Sequence, residues 1–125
     1  MTNLLAGWLG IFCGVLSGAV SGLYFHQEEW LGGYNSYPRR LLRLGHISFF
    51  GFGFLNLTFA ATTPLLAVQG ARLTIASISL IVGAVTMPIC CFLAALRKPL
   101  RHLFPIPVAA ALIGVGAILT GWISK

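Results

Sequence analysis

Three histidines, His26, His46 and His102, are the side chains of this chain best suited to chemistry. Neutral imidazoles ligate haem iron and other metals, and they titrate close to physiological pH. The three lie far apart in sequence, so a joint role requires the fold to gather them. Glu28 and Glu29 are the only carboxylate side chains, and they follow His26 in the run His26-Gln27-Glu28-Glu29. Carboxylates beside imidazole orient a histidine or bind a divalent ion; the simpler role is to balance the nearby arginines. Cys90 and Cys91 are adjacent, which is poor geometry for a disulfide. Together with Cys13 they read as buried apolar cysteines. The chain carries no phosphate loop, nucleophile elbow or zinc-finger spacing. No acid, base and nucleophile set can be named, so an enzyme is the least favoured reading.

The elements that must position these residues are four apolar runs, 4–25, 44–66, 73–96 and 104–123, none of which contains Asp, Glu, Lys or Arg. A helix rises about 1.5 Å per residue and a bilayer core is roughly 30 Å thick, so each run is long enough to cross once. With 58% hydrophobic and 8% charged residues, the chain cannot cover such runs with a wetted surface. The expected fold is an all-α integral membrane protein, a four-transmembrane-helix bundle forming one domain over residues 1–125. The leader Met1-Thr2-Asn3 has no Lys or Arg, so the first run reads as a mature helix rather than a cleaved signal.

Basic residues set the expected orientation. Arg39, Arg40 and Arg43 follow the first run, and Arg97, Lys98 and Arg101 follow the third, whereas the other side has Arg72 and Lys125. The positive-inside rule places both basic loops in the cytoplasm and both termini outside, in the inner membrane of a bacterium. The net charge of +6 then reads as a topology signal and a contact with anionic headgroups. Nucleic acid is not an expected partner, because no basic soluble module exists to hold it. The expected partners are the bilayer and other membrane subunits or a second copy.

Within the runs, Gly10, Gly14, Gly18 and Gly22 recur every four residues, with Cys13, Ser17 and Ser21 in a row beside them. Such a row lies on one helix face and permits close backbone approach, the main source of helix attraction in lipid. Packing inside the bundle is the favoured role, and an oligomer seam the sharper one. Ala76, Ser79, Gly83 and Cys90 line one side of the third run, and Ala110, Gly114, Ala117 and Gly121 one side of the fourth. His46, Phe49, Gly53, Asn56 and Ala60 share one side of the second helix, which should face protein. The Asn56 amide needs a partner inside the membrane and reads as an interhelical clamp. Pro88 should free the carbonyl of Ala84, with Thr86 near enough to help satisfy it. Pro38 suits the first turn of the second helix, where Arg39, Arg40 and Arg43 would snorkel to the headgroups. Trp8, Trp30, Tyr34, Tyr37 and Trp122 are the expected interfacial anchors.

All three histidines fall on the basic side of this topology. The layout is loosely similar to that of membrane subunits that hold b-type haem, without a diagnostic motif. The small multidrug transporters are excluded, since they rely on a glutamate inside the first span and this span has none. The leading expectation is a small accessory or anchor subunit of an electron-transfer or bioenergetic complex. His46 with His26 or His102 would hold haem b or another histidine-ligated cofactor, pigment or metal; the simpler roles are wetted interfacial side chains for His26 and His102 and a packing histidine for His46. The alternative is a self-associating transporter or channel with Gly10, Gly14, Gly18 and Gly22 at its seam. The lack of any carboxylate or arginine deep in a span weighs against ion-coupled transport.

Overall fold

Four helices carry the fold: α1 (Thr2–Tyr24), α2 (Tyr37–Thr62), α3 (Ala71–Leu96) and α4 (Pro105–Ile123). All four are long and apolar enough to span a membrane. The computed structural model describes residues 1–65 and 69–123, the side chains of residues 122 and 123 excepted. The expected end of the second run at Leu66 and the anchor Trp122 therefore lie outside what is described. Short 3-10 turns at Trp30–Gly32, Thr63–Leu65 and Lys98–Leu103 link the helices.

The helix starts follow from local chemistry. Pro38 sits in the first turn of α2, and the Ser36 hydroxyl accepts the Arg39 N–H at 3.3 Å, satisfying one donor that the helix cannot. Gly32 and Gly33 take φ of +83° and +90°, a region glycine enters without penalty, and this lets the chain reverse between α1 and α2. α1 begins two residues earlier than the apolar run that announced it and draws Asn3 into the helix, where it is buried.

Each helix packs chiefly on its neighbour in sequence, α1 on α2, α2 on α3 and α3 on α4, while α1 also touches α3. The α1–α2 seam is built from glycine. A Cβ at Gly10 would lie 3.1 Å from the Phe49 carbonyl oxygen and 3.2 Å from the Gly53 Cα, so the two backbones are nearly in contact. Gly7 faces Leu57 and the Gly53 carbonyl, Gly14 faces the Phe50 ring, and Gly18 faces the His46 imidazole. Gly22 faces open space. The α2–α3 contact seats the Phe52 ring on Gly83, and the α3–α4 contact seats Leu80 on Gly114. Phe59, Ala76 and Leu80 form the buried apolar centre, with Leu73, Val115, Ala117 and Ile118 packed around it.

Two local expectations change. Thr86 donates to the carbonyl of Val82 at 2.7 Å rather than to that of Ala84, because a threonine hydroxyl in a helix reaches back four residues. Arg39 does not snorkel outward: it is 3% exposed, held under aromatic rings, as described below.

The chain order places the Glu28–Glu29 loop and the Lys98–Leu103 turn at one end of the bundle, opposite the start of α1. In a background lacking native cysteines, cysteines at the exposed positions Glu29 and His102 should both react with an impermeant maleimide from one side of the membrane. One at the exposed Thr2 should react from the other side. Labelling of Glu29 and His102 positions from opposite sides would refute this arrangement.

Candidate functional site

Polar side chains inside an apolar bundle are costly unless satisfied, so their positions reveal what the fold is built around. They form two clusters here, one at each end of the α1–α2 seam.

The first cluster ties three helices together near the start of α1. Asn3 Nδ2 donates to Asn56 Oδ1 at 2.8 Å and to the Ser77 carbonyl at 3.2 Å. The Ser77 hydroxyl donates to Asn3 Oδ1. Asn56 Nδ2 in turn donates to the carbonyls of Phe52 at 2.9 Å and Leu80 at 3.1 Å. Asn56 is 0% exposed, and both its amide hydrogens and its carbonyl are engaged. Both amide nitrogens and both amide oxygens are engaged, and the cluster acts as a clamp. Sequence reasoning placed Asn56 on the protein-facing side of α2 but left Asn3 in the leader. The signal was the spacing of Asn3, Gly7, Gly10 and Gly14, which puts Asn3 on the same face as the glycines.

The second cluster lies where α1 ends and α2 begins. The Arg39 guanidinium donates from Nη1 to the Glu28 carbonyl at 3.2 Å and from Nη2 to the Phe25 carbonyl at 3.3 Å. Cation and helix terminus suit each other here, because the carbonyls at a helix C-terminus carry partial negative charge. The Arg39 cation also lies 5.4 Å from the Phe25 ring centre, 5.5 Å from Trp30 and 5.8 Å from Tyr34, all within the range of cation–π attraction. Its Nε–H is buried and has no hydrogen-bond partner. Leaving such a donor unsatisfied costs about 1–3 kcal/mol. One helical turn on, Arg43 lies 4.2 Å from the Tyr34 ring centre and donates to the Tyr34 carbonyl at 3.2 Å. Among the described residues, neither arginine makes an ion pair, and both glutamate side chains are exposed.

His46 is half-buried on the same side. Its Nδ1 shares a hydrogen bond of 3.1 Å with the Ser17 hydroxyl, and its ring meets Phe50 edge-on at 5.3 Å. Gly18 leaves the space in which the imidazole lies: an added Cβ would fall 2.5 Å from His46 Cε1. A cavity of about 80 Å³ opens between these groups, bounded by Arg39, Arg43, His46, Ser21, Phe25 and Trp30 among others.

The histidines are distributed unevenly. His46 lines this cavity; His26 and His102 are exposed and do not. Among the described residues, no three His, Cys, Asp or Glu side chains are placed to hold a metal ion. The cavity is far smaller than the roughly 300–1,000 Å³ of a pocket that encloses a drug-sized ligand. Cys90 and Cys91 are unpaired thiols buried on α3, whereas Cys13, expected to be buried, is only half-buried on α1. The Cys90 thiol contacts the Leu103 carbonyl at 3.7 Å, which joins α3 to the turn preceding α4.

A larger groove, about 390 Å³, runs along the outside between α1 and α3, with Phe49 of α2 among its lining residues. Its walls include Leu5, Leu9, Val85 and Ile89, and it contains no titratable side chain other than Cys13.

No protein family, curated protein or solved structure matches this chain. The reading of function therefore rests on the geometry above.

Proposed function

We propose that this protein is a small accessory or anchor subunit of an electron-transfer or bioenergetic membrane complex. One observation carries the reading: the polar clamp of Asn3, Asn56 and Ser77 is spent on holding helices together. A span whose amides bond to its own and neighbouring helices is a structural element rather than a reaction chamber. Outside the clamp the helices present lipid-compatible surface, with Leu5, Phe12, Ile47, Phe54, Ile78 and Leu112 more than half exposed. The electron-transfer setting rests on the placement of His26, His46 and His102 towards one end of the bundle. The expectation of a histidine-held cofactor keeps only His46, which lines the cavity, while His26 and His102 do not.

A self-associating channel with the glycine row at its seam is the weaker reading. α2 already covers Gly10, Gly14 and Gly18, so a second copy cannot use that face without displacing it.

Chemical crosslinking in native membranes, followed by mild-detergent purification, tests the proposal. The expected product is a defined assembly containing at least one redox-active integral membrane protein at a fixed ratio. Removal of this chain should lower the amount of that assembly. Recovery of a lone species, together with unchanged assembly of the respiratory complexes in its absence, would overturn the reading.

A further inference from the structure

The cavity at the junction of α1 and α2 has the composition of an anion site. We propose that it binds one phosphoryl oxyanion, donated either by a lipid headgroup or by free phosphate.

Three features of the cavity lead to this ligand class. The first is a buried cation. Arg39 is 3% exposed and lines the cavity. Its hydrogen bonds go to the neutral backbone carbonyls of Phe25 and Glu28, so the positive charge itself is not neutralised by hydrogen bonding. A buried charge ordinarily has a counterion. The second feature is the company it keeps. Arg43 and His46 line the same space, Ser21 adds a hydroxyl, and no carboxylate borders it. An array of cationic and hydroxyl donors without a competing acid selects an oxyanion, and the fork of N–H groups on arginine matches phosphate oxygens. The third feature is size: about 80 Å³ is room for a single tetrahedral group.

The position suits a headgroup. Phe25 and Trp30 wall the cavity beside the end of α1, and Trp30 is the ring type that in a membrane protein sits at headgroup depth. A phosphodiester at that depth can enter beside them with its glycerol and acyl chains remaining in lipid. Free phosphate offers the same oxygens from the aqueous side. This inference stands apart from the accessory-subunit reading, since the site is complete within one chain.

The test uses the full-length protein, purified in zwitterionic detergent or reconstituted in phosphatidylcholine bilayers. One arm titrates inorganic phosphate; the other adds phosphatidylglycerol to the bilayers. Both follow thermal unfolding and the nitrogen NMR resonance of Arg39 Nε. A rise in unfolding temperature with a shift of that resonance is expected in at least one arm. A response confined to phosphatidylglycerol assigns a lipid ligand, and one confined to phosphate assigns a free anion. Loss of one charge-assisted hydrogen bond should weaken the response about tenfold in R43Q, and R39K should weaken it at least as much. R101Q, altered at an exposed arginine outside the cavity, should behave as the parent. R43Q decides the matter if R39K does not fold. Absence of response in both arms, or equal responses of R43Q and R101Q, overturns the proposal.

Discussion

Gly10→Leu should unfold this protein at a much lower denaturant concentration than the parent, whereas Gly22→Leu should leave stability nearly unchanged. The two positions are equivalent in the four-residue row, but their surroundings differ. At Gly10 even a methyl group would meet two backbone atoms of α2, at 3.1 and 3.2 Å, and backbone cannot turn aside as a side chain can. A leucine must therefore push α1 and α2 apart along the seam. Overpacking of this kind costs about 1–3 kcal/mol and occasionally more, and separation of the helices adds the lost van der Waals contact on which association in lipid depends. At Gly22 a Cβ meets nothing within 4 Å, so the change should stay within about 0.5 kcal/mol. Unfolding of the reconstituted protein by sodium dodecyl sulfate, followed by tryptophan fluorescence, measures both. Equal destabilisation by the two variants would mean that the row packs against something other than α2.

The second large effect is expected at Asn56. Asn56→Leu removes three hydrogen bonds, one to Asn3 and one each to the carbonyls of Phe52 and Leu80. Interhelical hydrogen bonds in membranes average about 0.6 kcal/mol and reach about 1.7. Two of the three are interhelical, and their removal, with partners left buried, should cost about 1–3 kcal/mol. A double-mutant cycle with Asn3→Ala and Asn56→Ala isolates the shared part. The two asparagines touch at 2.8 Å, so their effects should be less than additive. Strict additivity would show that Asn3 and Asn56 do not share a bond in the folded protein. The distinction matters for function: if Asn56 tolerated leucine without loss of stability, its amide would be free for another task, and the structural-subunit reading would weaken.

Both effects bear on how far this molecule is legible from residue order. The number of helices and their approximate limits follow from apolar runs alone, because an uncharged run of that length has few stable alternatives to a helix in lipid. The protein-facing side of α2 was also readable: Gly53 and Asn56 fall on one stripe by helical periodicity, and both are buried. Similarly, Ala76, Gly83 and Cys90 on α3 and Ala110, Gly114 and Gly121 on α4 are buried, while Ser79 and Ala117 of the same rows are half-buried. Periodicity did not reveal Leu80 as the large residue at the centre of the α3 stripe, nor that Gly114 is small in order to receive it.

The candidate site was less legible. His46 stood out by type, and its cavity neighbours did not. Arg39 and Arg43 looked like topology signals, since cationic residues beside a span are normally wetted. Burial of Arg39 requires Phe25, Trp30 and Tyr34 to close over it, and their convergence depends on the turn through Gly32 and Gly33. Local sequence therefore determined which segments are helical, which faces carry small or polar residues, and which end is basic, because each is set by residues within a turn or two. Tertiary structure alone decided that three glycines of the row serve α2 while the fourth remains open, that Asn3 reaches across 53 residues to Asn56, and that an arginine is left with an unanswered donor. Those outcomes are properties of pairs distant along the chain, and helical repeat places a residue on a face without naming what that face will meet.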